Sequence, residues 1–271
     1  MKPGISLHAY RPRQFPDLVR VGRDHDGGYV LPRSVIERSS ALLSLGVADD
    51  WSFEAGALEI NPGLRITCVD GTTSLGRIVK KTVQKAVDMI GLLLALRIRR
   101  LRRNASYVFS KIGDFRSFFS RHLLLPMMVG AEAGEGRTTL PALIERTHRQ
   151  GEWLLIKCDI EGSEYEVLPT AVDRLDCASA LLVEFHRLHL NWDRYVACMD
   201  SLSRNFLVAH VHGNNFDGVI PGTAVPATLE ITLVNRALVE GTPPQNPASY
   251  PLAGLDMACT PKREDLALSF D

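Results

Sequence analysis

The chain has 271 residues with 31 basic and 31 acidic side chains, so its formal charge is zero; 45% of residues are hydrophobic and 23% charged. That balance excludes a disordered chain, a collagen-like fibre and a disulfide-stapled miniprotein, and the length suffices for a substantial core. No run reaches the ~18 uninterrupted apolar residues of a membrane-spanning helix, and the opening MKPGISLHAYRPRQFPDLVRV has no apolar signal-peptide core.

In chain order, residues 1–40 read as an N-terminal extension in which Asp26-Gly27-Gly28-Tyr29 marks a tight turn. Residues 41–47 (ALLSLGV) read as a strand, Phe53 to Ile60 as a helix, and residues 64–70 (LRITCVD) as a second strand. A basic helical insertion follows over 74–104. It carries Arg77, Lys80, Lys81, Lys85, Arg97, Arg99, Arg100, Arg102 and Arg103 against one acid, Asp88. Between its basic ends lies AVDMIGLLLALRI, too short to cross a bilayer (~20 residues). The first reading is a helix packed on a sheet with its basic face solvated; the second is peripheral contact of residues 77–103 with anionic lipid, or a grip on an acidic substrate. Nucleic acid is not expected, because no aromatics interleave the basic residues and the domain as a whole is not basic.

Residues 106–113 (SYVFSKIG) read as a third strand, and a Gly-rich loop leads to a helix over 140–149 with Pro141 in its first turn. Residues 153–160 (WLLIKCDI) and 180–187 (ALLVEFHR) read as strands separated by a helix over 163–175, and a helix over 192–205 follows. The last pair, 206–213 and 229–236, has no helix between its strands and reads as an antiparallel edge hairpin. From Gly241 a Pro-rich tail is expected to wrap the surface as ordered coil. Near-continuous apolar strands alternating with helices predict a doubly wound, mostly parallel α/β sheet in a single domain, with its core over 41–240. Five scattered cysteines, Cys68, Cys158, Cys177, Cys198 and Cys259, show no ligand spacing and are expected as reduced, mostly core thiols of a cytoplasmic protein.

In such a sheet ligands bind beyond the carboxyl ends of the strands, where the strand order reverses. Gly46 opens the first turn, followed by Asp49 and Asp50, and Asp70 closes the second strand at an offset suited to a ribose diol. The phosphate-cradling G-x-G-x-x-G is absent, and two acids at the turn repel a pyrophosphate. They favour S-adenosylmethionine, whose sulfonium and ammonium groups are cationic. Asp159 and Glu161 leave the fourth strand, where Ser163 and Glu166 match a capping box. Glu184 and His186 share one face of the fifth strand; His210 and His212 share one face of the sixth. These groups, with Asn214 and Glu230, are expected to converge on one crevice. A histidine, His186 or His212, or a strand-end carboxylate, Asp159 or Glu161, could take the acceptor's proton. Alternatively Asp159, Glu184 and His186 could hold a divalent cation. The metal-free base is the preferred reading.

At these residues the sequence resembles the FkbM-type group of class I S-adenosylmethionine-dependent methyltransferases. The likeness is carried by LSLGVADDWSFE, CVDG, SKIGDF, LIKCDIEGSEYEVL and LLVEFH, over roughly residues 22–236. It implies a Rossmann-like seven-stranded sheet and methyl transfer to an oxygen of a sugar, glycan or small secondary metabolite. Carried over by position, Gly46 and Asp70 would hold the methyl donor, Asp114 would lie by its adenine, and Glu161 near its methionine part or the transfer point. Asp49 is added to the donor site by the charge of the first turn. Ala48 stands where that family often has a second glycine. Two other classes remain on the page: a non-catalytic scaffold docking at an anionic membrane, and a nicotinamide-dependent oxidoreductase, disfavoured by the acidic turn.

Overall fold

The computed structural model describes residues 5–94 and 98–270. An antiparallel hairpin of β1 (Leu18–Val21) and β2 (Tyr29–Pro32) precedes α1 (Arg33–Arg38). Next come β3 (Ala41–Leu45), α2 (Ser52–Ile60), β4 (Arg65–Val69), α3 (Leu75–Leu94), α4 (Ile98–Phe119) and β5 (Leu123–Leu125). Two short strands, β6 (Met128–Val129) and β7 (Arg137–Thr138), lead to α5 (Leu140–Thr147), β8 (Leu154–Cys158) and α6 (Glu164–Val167). The series closes with β9 (Ala178–Phe185), α7 (Leu188–Leu202), β10 (Phe206–Gly213) and β11 (Leu229–Asn235).

Seven strands form one sheet in the order β10-β11-β9-β8-β3-β4-β5. β11 runs antiparallel to both β9 and β10, and the other strand pairs are parallel. The doubly wound sheet and its antiparallel edge hairpin are thus as the sequence leads one to expect. From β3 the chain moves one way through β4 and β5, then returns to the other side of β3 for β8 and β9. The strand order therefore reverses between β3 and β8, where a crevice must open.

The central strands are buried on both faces because successive side chains point to opposite sides of the pleat. Leu43, Leu45, Ile156 and Val183 pack against Leu143, Leu168 and Tyr195 on one face. Leu42, Ile66, Leu155 and Leu182 pack against Phe53, Ala57 and Phe115 on the other. Lys157 is the one charged residue within β8, and it too is buried.

Three local readings need correction. Residues 106–113 are not a strand but the middle of α4; the third strand of the parallel set is β5. The helical period wins because Phe115, Phe118 and Phe119, three and four residues apart, all meet the Trp51 ring at 5.5–6.2 Å. The helix expected over 163–175 is α6 for one turn and then a 3₁₀ stretch, Leu168–Cys177, in which Pro169 supplies no N–H. The capping box is absent: Ser163 makes no side-chain cap bond, and Glu164, not Glu166, reaches back to the turn.

The basic insertion forms α3 and α4, packed together. Arg97, and the side chains of Arg99, Arg100, Arg102 and Arg103, lie outside the described residues. Among the described residues no helix is long and apolar enough to cross a membrane. The tail beyond Gly241 is mostly coil and is pinned to β10 by two buried histidines. His210 pairs with Asp256 (3.1 Å), and His212 bridges Glu230 (2.9 Å) and Asp265 (3.0 Å).

Candidate active site

A crevice of about 520 Å³ opens at the carboxyl ends of β3, β4, β8 and β9, within the size range of small-molecule sites. One wall is the turn after β3. Gly46 has φ +80°, and a Cβ there would lie 1.6 Å from the Asp159 carbonyl oxygen. The glycine is therefore required by the close approach of the turn after β8, before any ligand enters. Ala48 also sits in the left-handed region, at φ +46°. Its N–H donates to Asp70 Oδ2 (2.7 Å), while Thr72 donates to Asp70 Oδ1 through its N–H (2.5 Å) and its hydroxyl (2.6 Å). A carboxylate has about four lone-pair positions, so Asp70 holds the turn in place with three of them and can accept one further hydrogen bond. Beyond Asp70 the wall becomes apolar, with Met127, Met128 and Val129 following β5. Met128 lies over Gly71, where a Cβ would come within 2.5 Å of its sulfur.

The opposite lobe is polar. Tyr29 OH donates to Asp159 Oδ2 (3.1 Å), and Lys157 Nζ stands 3.7 Å from that oxygen, near the Tyr29 ring. Burial opposes the lysine's charge, but Asp159 and Glu54 outweigh it and hold its pKa above the usual value. Glu164 is fully buried and organises the turn: its Oε1 accepts from Ile160 N (3.1 Å), Gly162 N (3.0 Å) and His186 Nδ1 (3.0 Å). The His186 Nε2 atom thereby points into the crevice, 3.8 Å from Asp159 Oδ1, Glu161 Oε2 and Glu184 Oε1. Burial lowers the affinity of this imidazole for its proton, yet the Glu164 hydrogen bond and the Glu184 charge prevail and raise its pKa to about 9. Glu184, buried beside Asp159 and Glu230, is pushed well above the usual carboxylate range by burial first and those charges second. Asn214 donates to Glu184 Oε1 (2.7 Å).

Of the residues singled out in the sequence, Gly46, Asp49, Asp50, Asp70, Asp159, Glu161, Glu184, His186 and Asn214 line the crevice. Four others do not. Asp114 is exposed on α4 and absent from the wall, because the strand expected to carry it is a helix. His212 and Glu230 are buried behind Glu184, occupied with each other and the tail, so His212 is displaced from the proposed base position. His210 likewise faces Asp256. The two acids of the first turn line the crevice but are not free charges. Asp49 pairs with Lys81 (2.5 Å) and Asp50 with Arg23 (2.8 Å), which weakens the repulsion of phosphate argued from charge alone. Sequence reasoning passed over Glu164, Lys157, Tyr29 and the methionine lip. Glu164 was the most legible of these, since a buried helix-start acid needs donors and the DIEG turn supplies them.

No family model and no curated protein matches the sequence. Among solved structures, the chain is similar to the Methanococcus jannaschii fibrillarin pre-rRNA processing protein (8% identity, 74% of this chain and 68% of that one, TM-score 0.39). It is also similar to precorrin-6y C5,15-methyltransferase from Geobacter metallireducens GS-15 (11% identity, 75% and 88%, TM-score 0.37). A third is the mitomycin 7-O-methyltransferase MmcR (12% identity, 75% and 52%, TM-score 0.31). At these identities and TM-scores the likenesses assign no role to any residue of the crevice.

Proposed function

We propose that the chain is an S-adenosylmethionine-dependent methyltransferase acting on an oxygen of a sugar or other small metabolite. One observation carries this reading: the crevice at the strand reversal joins an acid-rich floor to an apolar lip, with no glycine-rich phosphate cradle. Among its lining residues acids outnumber Arg23 and Lys157, and both of those cations already face acids. A ligand suited to it is a cation without phosphate, carrying a flat apolar ring and a hydroxyl for Asp70. Adenine then lies against Met127 and Met128, the ribose meets Asp70, and the sulfonium faces the lobe of Asp159 and Glu161. The displacement is in line, so alignment does most of the work and one proton must leave the acceptor.

An imidazole with its pKa near 9 already holds its proton at neutral pH, so His186 is poorly suited to be a free base. Glu161 suits that task better. It stands at the crevice rim with its side chain 85% exposed, able to pass a proton to water. Titration calorimetry tests the reading: the donor and its thioether product are expected to bind the wild-type chain, and reduced nicotinamide dinucleotide is not. Asp70→Ala is expected to weaken donor binding at least ten-fold, which is about 1.4 kcal/mol; unchanged affinity removes Asp70 from the donor site.

A second reading concerns location. Val79, Val83 and Val87 lie four residues apart on α3 and are 37%, 57% and 56% exposed, beside Arg77, Lys80 and Lys85. That stripe supports peripheral docking on anionic lipid, as a property of the enzyme or of a scaffold. Vesicles containing phosphatidylserine are expected to sediment the protein, and Val83→Asp is expected to abolish it; equal binding to neutral vesicles argues against docking through charge.

A further inference from the structure

We propose that the crevice is a divalent-metal site in which His186 Nε2, Asp159 Oδ1 and a Glu184 carboxylate oxygen are the protein ligands. The ion would bind the acceptor hydroxyl and assist its deprotonation. The site itself stands on geometry; its task in the reaction rests on the methyl-transfer reading.

The distances are wrong for hydrogen bonds and right for ligands. His186 Nε2 is 3.8 Å from each of three carboxylate oxygens, beyond the ~3.2 Å limit of an N–H···O bond. Two donors ~2.1 Å from a common ion at tetrahedral angles stand roughly 3.4 Å apart, so a shift of a few tenths of an ångström closes the set. The ligand atoms of Asp159, Glu184 and His186 all lie within 4.8 Å of one another.

The surroundings are those of a ligating imidazole. Metal-bound histidines donate one ring N–H to a carboxylate and give the ion the other nitrogen. At Nε2 the ion takes the place of the proton that the surrounding carboxylates otherwise hold, and that proton leaves to solvent. Glu164 is the accepting carboxylate for His186, and its own position is fixed by two backbone N–H groups. Lys157 stands against Asp159 Oδ2, leaving Oδ1 for the ion.

A separate observation concerns Glu184, whose side chain is 5% exposed yet lines the crevice. Among the described residues it receives one hydrogen bond, from Asn214 to Oε1. An Asp159 oxygen lies within 4.8 Å of a Glu184 oxygen, so the two carboxylates repel one another and a cation bound between them relieves that repulsion. One imidazole with carboxylates and no thiolate suits Mn²⁺ or Zn²⁺.

With the acceptor oxygen on the ion, its proton passes to Glu161 and then to water. The oxygen's electron pair forms the new bond to the methyl carbon. The carbon–sulfur pair stays on sulfur, which goes from sulfonium to thioether.

The test is titration of the chelator-treated full chain with MnCl₂, followed by the loss of the free Mn²⁺ electron paramagnetic resonance signal. One site per chain is expected, weakened at least ten-fold in His186→Ala and Glu184→Gln, and ten-fold or more in Glu164→Gln, which touches the imidazole alone. Far-ultraviolet circular dichroism and urea unfolding of the same variants check that each retains its fold. Absence of a Mn²⁺ site, or equal affinity in all variants, overturns the proposal. If the donor binds and methyl transfer runs at full rate in excess chelator, the metal's task falls while the methyltransferase reading stands. If Mn²⁺ binds as expected and no donor does, that reading falls and the metal site survives.

Discussion

Ala48 shows how much of a site one side chain can decide. An L-residue in the left-handed region costs about 1–2 kcal/mol, and Ala48 stays there because its N–H is held by Asp70 and its carbonyl by the Thr73 hydroxyl. Ala48→Gly removes the strain and adds chain entropy to the unfolded state, so a net gain of about 0.5 kcal/mol is expected from urea unfolding. A loss in that measurement means the turn relaxes in solution. The sequence made Gly46, Asp70, Asp159, Glu161, Glu184 and His186 legible, because acids and imidazole at strand ends have few structural excuses. It could not reveal that Gly46 answers to the Asp159 carbonyl, nor that Asp49 and Asp50 have cationic partners, since both follow from contacts across the chain.

Strands with continuous apolar runs, β3, β8 and β9, were readable because burial on both faces leaves no other composition. α4 was not, because aromatic and β-branched residues at 106–113 mimic a strand until Phe115, Phe118 and Phe119 meet Trp51. The edge hairpin was readable as strands, but not the role of its histidines. His212 on β10 faces Glu230 on β11 and Cys259 and Asp265 of the tail. Burial works against its charge, yet hydrogen bonds to Asp265, Cys259 and Glu230 hold its pKa far above the usual value. The folded chain keeps this proton while the unfolded chain releases it near pH 6.5, so the clamp contributes fully below that pH and progressively less above it. Wild-type stability is expected to fall by about 1.4 kcal/mol per pH unit more steeply than that of His212→Gln between pH 7 and 9. Parallel urea-denaturation curves for the two proteins exclude a charged His212.

At the scale of the molecule, a formal charge of zero conceals local separation: Arg77, Lys80, Lys81 and Lys85 lie on α3 with one acid, Asp88, while eight acids line the mouth of the sheet. Composition gave the total and charge runs gave the basic half. The acidic half became visible only when the fold brought together residues as far apart as Asp26 and Asp217.

The loop between the first two strands and the C-terminal tail meet beside the crevice. Loop residues Arg23, Asp26 and Gly27 form part of its wall, and that loop hangs on the tail through Asp26 N to the Cys259 carbonyl (3.2 Å) and His25 Nδ1 to the Ala258 carbonyl (2.8 Å). Further along, Phe270 is tucked against Tyr250. A cleft propped open from behind changes width when its prop is cut. Trimming the final fifteen or so residues removes no group that a ligand would touch, yet inhibitors selected on such a shortened protein would be fitted to the wrong mould.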